Sequence, residues 1–164
     1  MSSTNEAIAA QLTQSLRILF EEAYAGPPDP SSTWFVSNEA NCGILGTADK
    51  LTAEQASAPL GENGFSVAAH AEHLRWSLEL TRARMRGERE KADWEESWMV
   101  SRVDEAQWNS LRTALRAEFD ALRPLLEAGT DWSQPYVLTG TIGLIAHAAY
   151  HLGAMRQIAF RAQS

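Results

Sequence analysis

The chain has 164 residues, 45% of them hydrophobic and 21% charged, with a formal net charge of −7. That length suits one domain, residues 1–164, able to bury a core without covalent staples, and a single cysteine, Cys42, leaves no intrachain disulfide. The acidic balance speaks against nucleic acid as a partner, because phosphate binding needs a basic footprint.

The first six residues, Met-Ser-Ser-Thr-Asn-Glu, lack the basic start and apolar core of a secretory signal, so a cytoplasmic location is expected. Ser3-Thr4-Asn5-Glu6 has capping-box spacing. Ile8, Leu12, Leu16, Leu19 and Ala23 then recur at helical spacing. Gly26-Pro27-Pro28-Asp29-Pro30 ends this first helix. A long connection runs on to Gly64, with Thr33-Trp34-Phe35-Val36 read as extended and short helical pieces over 42–49 and 52–57. A structureless loop of that length is unusual in a compact domain, and its aromatic content predicts that it packs over the rest.

The second long helix opens at Ser66 and reaches about Arg86, with Val67, Ala69, His70, His73, Leu74, Leu78 and Leu80 on its apolar face. Its arginine-rich end, Arg82 to Arg89, reads as a solvated helix terminus whose charge suits the dipole. Residues 93–100 form a loop anchored by Trp94 and Trp98. The third helix starts at Asp104, in capping-box relation to Gln107, and runs through Trp108, Leu111, Leu115, Phe119, Leu122 and Leu126. Pro124 should kink or shorten it. The fourth begins near Thr139-Gly140-Thr141 and is apolar nearly all round, which predicts the most buried helix of the four. Residues 136–155 carry no Asp, Glu, Lys or Arg, a run close to the ~20 residues that cross a bilayer. With two histidines, three glycines and no second span, it reads as a helix of a bundle and not as a membrane segment. The fold class expected is all-α, a four-helix bundle with a long first connection.

All four histidines fall in two clusters, His70-Ala71-Glu72-His73 and His147-Ala148-Ala149-Tyr150-His151. On a helix, residues three or four apart share a face. Two such faces turned together make a pocket of three or four imidazoles, the usual ingredient of a transition-metal site. Core histidines satisfied by hydrogen bonds are the competing reading, since burying an unpaired polar group costs about 1–3 kcal/mol.

Three segments resemble the DinB-like proteins. Ser66-Val67-Ala68-Ala69-His70-Ala71-Glu72-His73-Leu74 is similar to the opening of that family's second helix, with a His-Leu seven residues after the helix-opening Ser. His147-Ala148-Ala149-Tyr150-His151-Leu152-Gly153 resembles its last-helix His-x-x-x-His-x-Gly, and Leu51-Thr52-Ala53-Glu54-Gln55 its Leu-Thr-x-Glu-Gln lead-in. The resemblance implies a divalent metal, zinc or nickel first, held by His73, His147 and His151. Some such relatives are thiol-dependent transferases or isomerases and others resemble metal-dependent hydrolases, so a metal-dependent enzyme with an open site is expected. A low-molecular-weight thiol is a further expected cofactor. The alternative is a non-catalytic metal-binding or stress-related protein whose site is structural or sensing.

Two features depart from the family pattern: Ala154 stands where a Gln is common, and the first connection is longer than usual. His70 is left as a proton shuttle, a fourth ligand or a core residue, and Glu72 reads as a surface charge. Trp76, Ser77 and Tyr150 are pocket candidates, and Glu62 and Asn63 could supply polar groups at the pocket mouth. The expected partners are a small-molecule substrate or thiol and a second copy of the chain in a homodimer, with no nucleic acid and no membrane.

Overall fold

The computed structural model describes residues 3–62, 64–88, 91–126, 130–134 and 136–164. Among these residues six α-helices follow one another: α1 (Ser3–Tyr24), α2 (Ile44–Asp49), α3 (Ala53–Ser57), α4 (Val67–Met85), α5 (Glu105–Leu122) and α6 (Val137–Ala162). Among the described residues there is no strand, and the four long helices form the expected bundle. α4 packs most extensively on α5 and also meets α6, while α1 lies against α6. No helix of the described residues is long and apolar enough to cross a membrane.

Local chemistry sets most of the boundaries. Ser66 caps α4 by accepting the Ala69 N–H, and its own hydroxyl donates to the Ser101 carbonyl. Thr52 with Gln55, and Asp104 with Gln107, form complete capping boxes that start α3 and α5. α5 stops at Leu122 and a 3-10 turn, Arg123–Leu126, takes over. Pro124 inside that turn has no N–H for an α-helical bond, which accounts for the shortening. The Ser3 side chain, on which the expected cap rests, lies outside what is described, as does Asn63, while the arginine-rich end is described as far as Glu88. There Arg82 grips Glu118 through two bonds of 2.8 and 2.9 Å, and Arg86 pairs with Glu88, as a solvated helix end would.

The long connection packs as expected, but residues 33–36 are not extended. They wrap the carboxylate of Glu22, itself fully buried, whose oxygens accept the N–H groups of Trp34, Phe35 and Val36 and the Thr33 hydroxyl at 2.6–3.1 Å. Further on, α2 is buried over Ile44, Leu45, Gly46, Thr47 and Ala48. A Cβ on Gly43 would sit 2.5 Å from the Tyr24 carbonyl oxygen, so glycine lets the start of α2 press on the end of α1. Trp108 of α5 is fully buried and donates its indole N–H to the Leu51 carbonyl, pinning the connection to the bundle.

Two expectations about apolar faces need correction. Ile8 is exposed, and α1 enters the core through Leu16, Phe20, Ala23 and Tyr24, with Phe20 and Tyr24 stacked on Phe119. Residues 4–11 of α1 are all exposed, and further along the Thr13 hydroxyl accepts the indole N–H of Trp132, in the segment leading into α6. Nor is α6 the most buried helix. Ile142, Tyr150 and Phe160 are exposed along one side, whereas from Val67 to Leu74 of α4 every residue but Glu72 is buried. As far as Met155 the outer side of α6 lacks charge because it carries glycine, alanine, threonine, Ile142 and Tyr150, and absence of charge is not burial.

Candidate metal centre

α4 supplies His70 and His73, and α6 supplies His147 and His151, where the two helices face each other. His73, His151 and His70 are buried at 4%, 3% and 6% exposure, and His147 is half-buried at the edge. The Nε2 atom of His147 lies 3.0 Å from that of His73 and 2.9 Å from that of His151. These three residues offer ligand atoms within 4.8 Å of one another.

Proton bookkeeping explains why the Nε2 edges are available. His73 Nδ1 is 2.7 Å from the hydroxyl of Ser97, and that hydroxyl donates its single proton to the Trp94 carbonyl. Ser97 can therefore only accept from His73, whose proton sits on Nδ1 and whose Nε2 keeps a lone pair. His151 turns its Nδ1 to His70 Nδ1 at 2.9 Å, so the edge opposite its Nε2 is held as well. Burial pushes His70 down to about 4. Burial, then His147 and His70 as neighbours of the same sign, takes His73 to about 4. His151 falls to about 3 through burial and then His147, His70 and His73, and burial lowers His147 too. All four rings are thus neutral near pH 7, the form that ligates metals.

The donor set fits a transition metal. With bonds of about 2.1 Å, two nitrogens on one ion are about 3.0 Å apart at a right angle and about 3.4 Å apart in a tetrahedron. The two observed separations match the right-angle case, and tetrahedral zinc would need a spread of roughly 0.4 Å. Three imidazoles leave further positions for water or substrate.

Aromatic rings surround the cluster. Trp98 stacks on His73 at 4.0 Å and 18°, and Phe65 packs on Trp98 at 4.2 Å. Trp94 meets Trp76 at 4.8 Å, and the Tyr150 ring stands edge-on to His151 at 5.0 Å.

Of the residues singled out in the sequence, His73, His147 and His151 come together at their Nε2 atoms, while His70 meets His151 on the other ring edge. Tyr150, largely exposed, stands against His151, and Trp76 meets Trp94, the ring that in turn lies beside His73. Ser77 is buried one turn further along α4, and none of the described hydrogen bonds joins its side chain to the histidines. Glu72 is half-buried and tied up by two bonds to Arg75, so it is a paired charge and not an open surface one. Glu62 is exposed, and Asn63 lies outside the described residues. In the sequence Trp94 and Trp98 read as loop anchors only, and Ser97 and Phe65 do not stand out. Two tryptophans four apart in an acidic loop were the available signal.

The helical bundle, with histidines paired on the second and last of its long helices, defines an all-helical protein with three histidines placed so that they could hold a metal ion. A family model described as the DinB superfamily matches residues 43–155, more than half of the chain, and the chain belongs to that superfamily. No curated protein and no solved structure matches it.

Proposed function

We propose that this DinB superfamily member is a metal-dependent enzyme, with His73, His147 and His151 as ligands of a zinc or nickel ion. The observation that carries the reading is the convergence of three imidazole Nε2 edges, with no fourth protein ligand atom grouped with them among the described residues. A divalent ion there supplies Lewis acidity and lowers the pKa of a thiol or water at its open positions. The chain's own part is to keep three rings neutral, hold two of them by their Nδ1 edges and border the site with aromatic faces.

Between thiol transfer and hydrolysis, thiol transfer asks less of these residues. A thiol ionises near ~8.5 unaided, whereas His70, the expected proton shuttle, already spends its Nδ1 on His151. The proposed reaction is attack of a low-molecular-weight thiol on a small electrophile: a carbon–sulfur bond forms, the bond to the electrophile's leaving group breaks with its electron pair, and the thiol proton passes to solvent.

The test is transition-metal content of protein purified without an affinity tag, wild type against His151→Ala. Near-stoichiometric zinc or nickel, lost in the variant, supports the reading, and a thiol-transfer screen with ester hydrolysis as comparison then follows. Wild type that holds no metal after incubation with Zn²⁺ or Ni²⁺ overturns it. Retained metal without turnover of either kind favours the non-catalytic alternative.

A further inference from the structure

We propose that Ser97 is a positioning residue for His73, which makes the turn over residues 93–99 part of the metal centre. This rests on the reading of His73 as a metal ligand.

The turn is short and mostly in solvent: Trp94, Glu95, Glu96 and Met99 are exposed. Ser97 is the exception, 1% exposed. A serine sunk from an exposed turn needs partners for its hydroxyl, and both are found. It donates to the Trp94 carbonyl at 2.7 Å and accepts from His73 Nδ1 at 2.7 Å. The turn that delivers it is built locally. Asp93 accepts the N–H of Glu95, Trp98 N–H returns to the Glu95 carbonyl and Met99 N–H to the Glu96 carbonyl. Trp98, next in sequence, lies flat on the same imidazole. One turn therefore holds His73 by an edge and by a face.

The consequence is chemical as well as steric. An imidazole can place its one proton on either nitrogen, and only the Nδ1–H form presents a lone pair at Nε2. A carbonyl cannot donate, so Trp94 fixes the direction of the Ser97 proton and Ser97 fixes the tautomer of His73. Partners of this kind typically change metal affinity by roughly 10–100-fold.

Two measurements test the proposal. The first reads the His73 tautomer in metal-free wild type by long-range ¹H–¹⁵N correlation, with His73→Gln for assignment. Protonation at Nδ1 is expected, and protonation at Nε2 overturns the proposal whatever the variants do. The second measures Zn²⁺ affinity by competition with a chromophoric chelator. Ser97→Ala should bind roughly 10–100-fold more weakly, while Ser97→Thr, which keeps the hydroxyl, should restore most of the affinity. Ser97→Ala that folds by circular dichroism and binds Zn²⁺ as wild type does would sink the role of Ser97 and leave the three-histidine site standing. Wild type that binds no Zn²⁺ removes the site itself. Should Ser97→Ala fail to fold, the wild-type tautomer decides.

Discussion

Glu22 and His70 show how far a side chain's role depends on what the chain later brings to it. Glu22 sits in a helix beside Glu21 and reads as one more solvated carboxylate, yet residues 33–36 close over it and it is fully buried. Burial alone would raise its pKa, but hydrogen bonds from Phe35, Thr33, Val36 and Trp34 outweigh that and hold it below the ordinary range. The native state therefore binds fewer protons than the unfolded chain around pH 4. The stabilisation is present above the unfolded value, near 4.5, and is lost as pH falls through the lower folded value. Glu22→Gln turns an acceptor-only group into one that also donates towards backbone donors. It should cost on the order of 2–3 kcal/mol in urea unfolding at pH 7. The gap from wild type should narrow at pH 3, and an unchanged gap would show that the charge is not what holds the loop. His70 poses the question differently. With its Nδ1 on His151 and not among the three converging Nε2 atoms, His70→Ala should still take up Zn²⁺ at saturation, whereas His151→Ala should not. Equal loss of metal in both variants would make His70 a ligand.

At the scale of elements, starts and stops follow from short-range chemistry. Asp104 and Gln107 exchange side-chain-to-backbone bonds at the head of α5, and Glu105 reaches over to accept the Ala53 N–H at the head of α3. Asp104→Ala should lower stability by about 1 kcal/mol, read as a shift of the denaturation midpoint with an unchanged slope. Such caps were legible because donor and acceptor lie three residues apart in the chain. The facing of the histidine helices was legible through the i, i+3 and i, i+4 spacings. Two other things were not. The outer side of α6 reads as core because Gly140, Gly143, Ala146 and Gly153 carry no charge, and only the placement of its neighbours shows that among the described residues nothing covers the three glycines. Ser97 was invisible for a related reason. Its partner is 24 residues away, and a serine in an acidic loop has no periodicity to give it away.

For the molecule as a whole, the proposed ion would join α4 to α6, two helices separated in sequence by all of α5. A ligand that binds only the folded chain stabilises it by about 2.7 kcal/mol at a hundredfold excess over Kd. For a chain of this size that is roughly 5–10 °C in Tm. Wild type should gain that much on adding Zn²⁺, and His151→Ala, with a broken triad, little or nothing. The pH range of the effect follows from the burial of the rings. Protons and metal compete for the same nitrogens, so affinity falls once the imidazoles begin to protonate in the folded state. Exposed histidines reach that point near 6.5, but His73 is held down to about 4 and His147 is also lowered. Zn²⁺ affinity should therefore change little between pH 7.5 and 6.5, and its fall should begin only below the 6.5 at which an exposed histidine titrates. Isothermal titration across that range checks it. An affinity that already falls tenfold for each unit between pH 7 and 6 would mean that the folded protein holds a histidine proton that metal must displace, against the neutral triad that the burial and the Ser97 bond describe.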